Sequence, residues 1–357
     1  MPLTYNISMQ IASVNVNGIR AASQTGKSAK NGYGLKNWMQ DQGKDVDVLC
    51  LQELKATQEE IGETLDFLNI DSDKFFIQSD QDKKGHAGVA IAVLNPEIKI
   101  QEIKTPFENQ TYTSDILCSG RYIEVDLETK SKQNLTIASA YIHHADSPTS
   151  TRRATKAEIE KGSKREVTID RKQSEFTMNN KHLFMDKLTE YLRQQINLNK
   201  EFVICGDYNI AHKNIDLKAW ENNKTKAGFL PEERVWLDLW FAKKYSQIPK
   251  EIINTFKENK DINYKTPKEA ITQFNLGGLG LHDVCRELWG ETGEQSNTYT
   301  WWTYMGHAFD NNAGWRIDYQ SATEKLSKTA KWARVDKPSA YNQRYTDHAP
   351  LVVNYDI

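Results

Sequence analysis

The sequence predicts a mixed α/β fold, a layered sandwich of strands and helices rather than a doubly wound parallel sheet. Short apolar segments recur along the 357 residues, and segments that resemble strands outnumber those that resemble helices. Many neighbouring strand candidates are too close in sequence for a crossover helix to fit between them. No linker rich in Gly, Ser or Pro divides the chain, so we expect one domain over residues 1–357.

The strand candidates are short apolar segments. Several carry apolar side chains on successive residues, which is typical of strands that are covered on both faces. In chain order they are residues 10–16, 46–52, 88–94, 121–127, 135–142, 201–207, 299–304, 315–322 and 349–355.

Helices are predicted between some of these strands. Apolar residues recur at a period of about 3.6 residues over positions 175–196, which predicts an amphipathic helix. A second helix is expected to begin at Pro231, because proline and the acidic residues Glu232 and Glu233 suit the first turn of a helix.

Residues 145–175 differ from the rest of the chain, because they are polar, rich in both charges and almost free of aliphatic side chains. This composition predicts a solvated surface loop inserted in the domain. The density of Lys and Arg leaves a second interpretation open, in which the loop touches the substrate.

Composition limits the classes of function. The formal net charge is -2, so binding to nucleic acid would require a local basic face. Cys50, Cys118, Cys205 and Cys285 are widely separated and form no C-x-x-C motif, which predicts reduced thiols rather than disulfides or a zinc site. The first residues lack a signal-peptide pattern, and no apolar run approaches the ~18 residues of a membrane span. We therefore expect a soluble cytosolic protein.

Polar side chains stand where the apolar strands end. Taken singly, such residues are usually turn formers or surface pairs. Strand ends of one sheet lie side by side, however, so together these side chains would meet in a single cleft. The set comprises Asn15, Asn17, Glu53, Tyr141, Asp207, Asn209, Asp318, Asp347 and His348.

Carboxylates, amides and one imidazole suit a hard divalent cation and the activation of water. Mg²⁺ prefers oxygen ligands and keeps several waters, so one or two protein carboxylates suffice, whereas zinc would require His or Cys ligands. A phosphodiester hydrolase needs a metal, an oriented water and donors directed at the reacting phosphate. We expect Mg²⁺, for which Mn²⁺ could substitute, with Glu53 as the first ligand.

A set of segments resembles a known family. In chain order they are SVNVNGIR, LQELK, GHAGVA, GDYNI, FLPEER, GWRIDY and DHAP. They look like the exonuclease III branch of the endonuclease/exonuclease/phosphatase superfamily, that is, apurinic/apyrimidinic (AP) endonucleases of the bacterial exodeoxyribonuclease III type. The resemblance runs from about residue 10 to the last residues. It implies a four-layered, deoxyribonuclease I-like sandwich in which two mixed β-sheets pack face to face between outer helices.

The resemblance also implies a metal site. Glu53 and Asp347 would contribute to it together with Asn17, and Asn15 would support this shell. Some family members carry Asp at the position of Asn17.

Further roles follow from the same resemblance. Asp207 would orient or deprotonate the attacking water, while Asn209 and Tyr141 would hydrogen bond the scissile phosphate. Asp318 would pair with His348 and favour its charged form. Adjacent residues of an extended segment face opposite sides, so His348 is not expected to pair with its neighbour Asp347. The general base is left open between Asp207 and His348.

Substrate recognition is assigned by the resemblance to Trp301, Trp315 and Ile317, which would line a pocket for an extruded sugar that has lost its base. Trp301 and Trp302 are adjacent, so one of them is expected to belong to the core. An abasic nucleotide has lost its pairing and stacking, so its extrusion costs less than that of an intact nucleotide.

The implied function is Mg²⁺-dependent cleavage of double-stranded DNA on the 5′ side of abasic sites in base excision repair, with 3′–5′ exonuclease and 3′-phosphatase activity. The implied partner is DNA with abasic sites or blocked 3′ ends, bound by a monomer in the cytoplasm near the nucleoid and away from membranes. Apparent extensions at 145–175 and 334–346 would change the balance of these activities. The alternatives are an RNA deadenylase, an inositol or lipid phosphodiesterase, and a catalytically silent DNA-binding module.

Overall fold

A sheet of six strands forms one half of the centre of the protein. The computed structural model describes residues 8–24, 33–80, 85–107, 120–147, 151–153, 159–160, 166–243, 268–291 and 298–357. The strand order of this sheet is β13-β14-β1-β2-β4-β3. Its strands are β1 (Ser8–Asn15), β2 (Val48–Gln52), β3 (Phe75–Gln78), β4 (Val89–Val93), β13 (Ala330–Val335) and β14 (Leu351–Asp356).

A second sheet of six strands forms the other half, in the order β11-β12-β10-β7-β6-β5. Its strands are β5 (Lys99–Lys104), β6 (Tyr122–Glu128), β7 (Asn134–Tyr141), β10 (Phe202–Asp207), β11 (Leu281–Asp283) and β12 (Asp318–Thr323). Apolar side chains from both sheets, such as Ile11, Val48, Ile137 and Val203, fill one shared core cluster and are fully buried. The two sheets therefore pack face to face.

Helices cover the outer faces of the sheets. In the helix α4 (Arg171–Asn197), Phe184, Leu188 and Leu192 pack into the same core cluster as Phe202 and Ile204 of β10. The described helices are α1 (Ile19–Ala22), α2 (Leu35–Gln40), α3 (Gly62–Leu68), α4 (Arg171–Asn197), α5 (Pro231–Phe241), α6 (Lys268–Asn275), α7 (Val284–Trp289) and α8 (Glu324–Ser327). This arrangement confirms the predicted four-layered sandwich and both predicted helices.

Parallel pairing brings several strand ends to one edge of the sandwich. Strand β1 is parallel to β2, and β7 is parallel to β10 with Tyr141 opposite Asp207. Gly206 allows this close approach, because it has φ +148° and an added Cβ would lie 1.9 Å from the carbonyl oxygen of Ala140. Asp207 also lies opposite Asp318 of the antiparallel strand β12. The polar strand ends therefore meet at a common edge.

One strand prediction was wrong. Residues 299–304 form no strand, and Trp301 makes only isolated bridges to Trp315 and His348. Strands β3, β5, β11 and β13 were missed. Strand β5 lies at a sheet edge with mostly exposed side chains, so it lacks the apolar run by which the other strands were found.

The charged segment 145–175 contains regular structure where the structure describes it. A short antiparallel ribbon pairs β8 (Thr151–Arg153) with β9 (Glu166–Thr168), and helix α4 begins soon afterwards. The thiols of Cys50, Cys205 and Cys285 are free and buried, as predicted, whereas Cys118 lies outside the described residues. Within the described part of the chain, no helix combines the length and the apolar character needed to cross a membrane.

Candidate active site

The edge where the strands end carries all of the polar residues that the sequence analysis singled out. Asn15, Tyr141 and Asp207 are the last residues of β1, β7 and β10, and Glu53 directly follows β2. Asp318 is the first residue of β12. The others lie in the adjoining loops: Asn17, Asn209, Asp347 and His348.

Asn15 joins the two sheets at this edge. Its Nδ2 atom donates a hydrogen bond of 2.9 Å to Glu53 Oε1 and another of 2.9 Å to Asp207 Oδ2. Its Oδ1 atom accepts a hydrogen bond of 2.9 Å from the backbone of Asn17. Asn15 is fully buried, so a single amide sets the positions of carboxylates from both sheets.

Glu53 is held in its ionised form. Burial raises the pKa of this carboxyl group, but the ammonium of Lys55 and hydrogen bonds from Asn15 and Tyr141 outweigh burial and lower the pKa to about 2. Lys55 Nζ lies 2.8 Å from Glu53 Oε2. The Tyr141 hydroxyl therefore supports the Glu53 carboxylate in this structure.

Asp347 faces Asn17 rather than its neighbour His348. Its Oδ1 atom accepts a hydrogen bond of 2.8 Å from Asn17 Nδ2, and its Oδ2 atom accepts one of 3.1 Å from Trp301 Nε1. The prediction that His348 and Asp347 serve different partners is confirmed. Asp347 thus links the polar cluster to the aromatic residues beside it.

His348 lies between two buried carboxylates. Its Nδ1 atom is 2.8 Å from Asp318 Oδ2, and its Nε2 atom is 3.7 Å from Asp207 Oδ2. Burial lowers the pKa of His348, but the charges of Asp318 and Asp207 dominate and raise it to about 10. Burial raises the pKa of Asp207 to about 7, against the opposing effect of His348. The imidazole is therefore positively charged at neutral pH and can donate a hydrogen bond, whereas Asp207 can accept a proton.

A buried ion pair holds the backbone of Asn209 in position. Its backbone oxygen accepts a hydrogen bond of 2.8 Å from Lys181 Nζ, which also lies 2.6 Å from Glu233 Oε1. The amide Nδ2 of Asn209 donates to the backbone oxygen of Ile142 at 2.8 Å, and its backbone N–H donates to Asp207 Oδ1 at 2.8 Å. Asn209 and Asp207 therefore hold a fixed relative orientation.

Several residues of the cluster have a left-handed backbone. The φ angles are +47° for Asn17, +51° for Glu53, +52° for Lys55 and +51° for Asn209. Non-glycine residues rarely adopt this conformation, and such strain concentrates at functional sites. Other described residues away from this edge also have positive φ angles, so these angles agree with a functional site but do not identify one by themselves.

Two groups of atoms in the site could hold a divalent cation. One comprises Glu53, Asn17 and Asp347, and in it Lys55 Nζ already lies 2.8 Å from Glu53 Oε2 and 2.5 Å from Asn17 Oδ1, so a cation is accommodated between these oxygens. The other comprises Asp207, Asp318 and His348, whose ligand atoms lie within 4.8 Å of one another. A protonated imidazole has no free electron pair for a metal, so the first group, which offers oxygen ligands, fits a hard divalent cation better.

The predicted pocket residues lie together beside this cluster. The rings of Trp301 and Trp315 meet edge to face, with centroids 6.2 Å apart, and both pack with the buried Ile317. Trp302 is 1 % exposed and belongs to a separate core cluster, which confirms that one of the adjacent tryptophans is a core residue.

The pocket wall is anchored by a buried charge network. Arg316, between Trp315 and Ile317, is fully buried, and its guanidinium contacts Asp216 and Asp283 at 2.7 Å each. Arg286 contacts the same Asp216 carboxylate. These pairings hold the segment that carries Trp315 and Ile317.

Lys181 and Arg121 were missed from the sequence as supporting residues, and Lys55, in the basic segment LKATQ, was considered only as a contact to phosphate. Lys55 bonds Asn17 and Glu53, Lys181 holds Asn209, and the guanidinium of Arg121 lies 4.8 Å from the centre of the Tyr141 ring. A signal existed for Lys181, since it interrupts the apolar stripe of helix α4 that includes Met178 and Met185. Nothing in the sequence singled out Arg121.

The two-sheet sandwich and its edge cluster of carboxylates, amides and imidazole define a class, the metal-dependent hydrolases of phosphate esters. Residues 3–348 match the model of the Endonuclease/Exonuclease/phosphatase family, and the chain belongs to that family.

Known proteins of similar sequence act in DNA repair or on DNA ends. The chain is 28% identical over 314 residues to DNA repair nuclease APEX1 of Danio rerio, covering 87% of this chain and 72% of that protein. It is 24% identical to the exodeoxyribonuclease of Bacillus subtilis, over 97% of this chain and all of that protein. The solved AP endonuclease of Archaeoglobus fulgidus has the same fold, with a TM-score of 0.62 at 20% identity over 98% of this chain and 100% of that one. These similarities support a hydrolytic nuclease that acts in DNA repair.

Proposed function

We propose that this chain is a DNA-repair nuclease that hydrolyses the phosphodiester on the 5′ side of abasic sites in double-stranded DNA. It leaves a 3′-hydroxyl and also acts as a 3′–5′ exonuclease and 3′-phosphatase, within one catalytic domain over residues 1–357. The observation that carries the proposal is the position of His348 Nε2, 3.7 Å from Asp207 Oδ2 and supported by Asp318 at Nδ1. This arrangement supplies a proton acceptor and a cationic donor for one phosphate.

The protonation states support one assignment of the two roles that the sequence left open. The raised pKa of His348, about 10, makes it the cationic donor to a non-bridging phosphate oxygen. Asp207 takes one proton from the attacking water. The bond between phosphorus and the 3′ oxygen then breaks, the leaving oxygen takes a proton from solvent water to become the 3′-hydroxyl, and Asp207 returns its proton to solvent. The Asn209 amide has a second hydrogen for the phosphate, since one already bonds Ile142.

The metal would be Mg²⁺, for which Mn²⁺ could substitute, held by Glu53 with Asn17 and Asp347. Its chemical contribution is to neutralise charge on the phosphate. Asn15 keeps Glu53 beside Asp207, because it donates to both carboxylates. Tyr141 would orient Glu53 through its hydrogen bond, and it also lies at the edge of the sandwich where the phosphate would bind.

The aromatic wall would select the damaged nucleotide. Trp301, Trp315 and Ile317 form an apolar surface that the Trp301–Asp347 hydrogen bond joins to the polar cluster. A sugar without a base is easily extruded, and a narrow apolar pocket along this surface would admit it but not a complete nucleotide. Such a pocket would act as a filter for abasic sites.

The proposed place of action follows from this substrate. Chromosomal DNA with abasic sites or blocked 3′ ends is the partner, so we place the protein in the cytoplasm with the nucleoid, as a monomer. The presence and mutual contact of the whole cluster argue against a catalytically silent DNA-binding module.

The test uses a labelled duplex with one tetrahydrofuran abasic analogue. We expect a single incision 5′ of the analogue with Mg²⁺, none after EDTA, and a loss of at least ~10²-fold in rate for Asp207→Asn, as when a catalytic acid–base group is removed. An intact duplex, a polyadenylated RNA and an inositol phosphate serve as comparison substrates. Preferential hydrolysis of either of the last two, or full activity of Asp207→Asn, would contradict the proposal.

A further inference from the structure

Two half-exposed tyrosines lie side by side next to the candidate active site. Tyr304 is 48% exposed and Tyr341 is 43% exposed, and they come from segments far apart in the chain. Tyr341 lies beside the buried Phe309, with ring centroids 6.2 Å apart, and the Arg344 guanidinium contacts both tyrosines. We call Tyr304, Phe309, Tyr341 and the adjoining Arg344 the aromatic step. Tyr341 and Arg344 belong to the extension at 334–346 that the sequence indicated.

Cations lie directly beneath these rings. The Arg344 guanidinium is 4.5 Å from the ring centre of Tyr304, 4.9 Å from that of Phe309 and 5.4 Å from that of Tyr341. Lys337 Nζ lies 4.4 Å from the centre of the Phe309 ring. Cation–π contacts therefore help to hold the rings in place, and the half-exposed rings of Tyr304 and Tyr341 lie next to positive charge.

The aromatic step is continuous with the candidate active site. Arg344 Nη2 donates to the backbone oxygen of Trp302 at 2.5 Å and to that of Asp347 at 3.2 Å. The carboxylate of Asp347 in turn accepts from Trp301, a wall residue of the abasic pocket.

Exposed aromatic rings over positive charge are what proteins use to bind nucleic-acid bases that have left the stack. The ring faces stack on bases of any sequence, while nearby cations attract the phosphates. An abasic site provides such a base, because the bases next to and opposite the lesion have lost a stacking or pairing partner.

We propose that the aromatic step stacks a nucleobase of the substrate DNA immediately next to or opposite the abasic nucleotide. This inference rests on the proposed function and adds a second recognition site to it. The pocket of Trp301, Trp315 and Ile317 takes the sugar that lacks a base, and the aromatic step takes an intact base that the lesion has released. The sugar that lacks a base and the released base would then contribute separately to the affinity for DNA.

The experiment measures binding of the full chain to a tetrahydrofuran duplex in EDTA. A fluorescent 2-aminopurine base, whose emission falls when it stacks, is placed opposite the lesion or on either side of it, one position at a time. We expect Tyr341→Ala to weaken binding by about tenfold and to abolish the protein-dependent change in emission at one of these positions. Tyr341→Phe should behave like the unmodified protein, because the ring is kept.

A matched control is available in Phe67. It is 39% exposed and carries a cation over its ring, Lys36 Nζ at 4.2 Å. Its neighbours Leu68 and Asn69 line a cavity with Ser8, at the end of β1 opposite to Asn15. Phe67→Ala should leave binding unchanged, and the melting temperatures of all variants are compared to exclude loss of folding.

The outcomes separate this inference from the proposed function. If the unmodified protein incises the duplex with Mg²⁺ but no 2-aminopurine position responds to Tyr341→Ala, the inference is overturned and the nuclease stands. An equal loss of binding for Phe67→Ala also overturns it, since the effect would not be local. If the unmodified protein does not incise the duplex at all, the proposed function fails first.

Discussion

The side chains of His348 and Asp318 are paired through Nδ1 and Oδ2 at 2.8 Å, within the protein interior. The pairing fixes which ring nitrogen faces the open side of the site, and it leaves Nε2 directed toward Asp207. The charges of Asp318 and Asp207 and the hydrogen bond to Asp318 together stabilise the imidazolium more than burial destabilises it.

Asp318→Asn tests this pairing. Burial lowers the pKa of His348, and the Asp318 charge is the largest influence that raises it to about 10, so the variant should hold the proton less tightly. The imidazolium is then lost at a lower pH, and the alkaline limb of the kcat/KM profile should move to lower pH with a loss of about 10²-fold in rate. The exposed pair of His307 and Asp310 offers a control, since Asp310→Asn should change neither quantity. An unmoved alkaline limb would refute the assigned role of His348.

Substitutions of Glu53 and Asp207 should change different kinetic quantities. Glu53→Gln removes a charge from the proposed metal site, so the Mg²⁺ concentration for half-maximal activity should rise by about tenfold or more. Asp207→Asn should lower kcat by at least ~10²-fold and leave that concentration nearly unchanged. Titrations of activity with Mg²⁺ and with Mn²⁺ distinguish the two. Identical titration curves for both variants would show that the metal assignment is misplaced.

The Lys181–Glu233 pair should contribute to catalysis through Asn209. Lys181→Met leaves a buried, uncompensated carboxylate and should cost about 3–5 kcal/mol of unfolding free energy. In the double variant with Glu233→Gln, much of that stability should return, because neither position of the pair then carries a charge. The rate should stay low, since the hydrogen bond from Lys181 to the Asn209 backbone is still missing.

Urea unfolding and single-turnover kinetics on the same samples separate the two effects. If the double variant regained its rate together with its stability, Lys181 would have only a structural role. The KM for the abasic duplex should change less than kcat, because Asn209 is proposed to contact the phosphate that reacts.

The adjacent tryptophans should give opposite results. Trp302 is 1 % exposed, so Trp302→Ala should lower the free energy of unfolding by about 3–5 kcal/mol. Trp301 is partly exposed and lines the proposed pocket, so Trp301→Ala should chiefly reduce the preference for abasic over intact duplex. Thermal unfolding and competition between the two duplexes provide the measurements. If a folded Trp301→Ala variant still preferred the abasic duplex as strongly as the unmodified protein does, Trp301 would not be a residue of the pocket.

Acid should destabilise the protein through His182. Burial, with Lys181 nearby, lowers the pKa of His182 to about 3, while in the unfolded chain it is ~6.5. The unfolded state therefore binds an extra proton below pH ~6.5, and stability falls by about 1.4 kcal/mol per pH unit from this residue. His182→Gln should flatten the dependence of unfolding free energy on pH between 5 and 7, whereas His307→Gln, at a side chain 85% exposed, should not.

Much of the site could be predicted from the sequence, because the polar residues of the site stand where apolar runs end and these runs form strands. Asn15, Tyr141 and Asp207 end apolar runs, and the structure puts them at the ends of β1, β7 and β10. The alternation of side chains along extended backbone also predicted that Asp347 and His348 have separate partners, and they do. Edge strands such as β5 escaped prediction, since their side chains are mostly exposed and show no apolar run.

The sequence by itself determined where the central apolar strands lie, which polar residues end them and which motifs occur in which order, because these features depend on local periodicity and residue chemistry. Tertiary structure alone decided the partners. Asn15 reaches Asp207 across 192 positions of the chain, and Lys181 meets Glu233 across 52. The stability of a buried charge depends on whichever opposite charge packing brings within about 4 Å, and no local pattern encodes that neighbour.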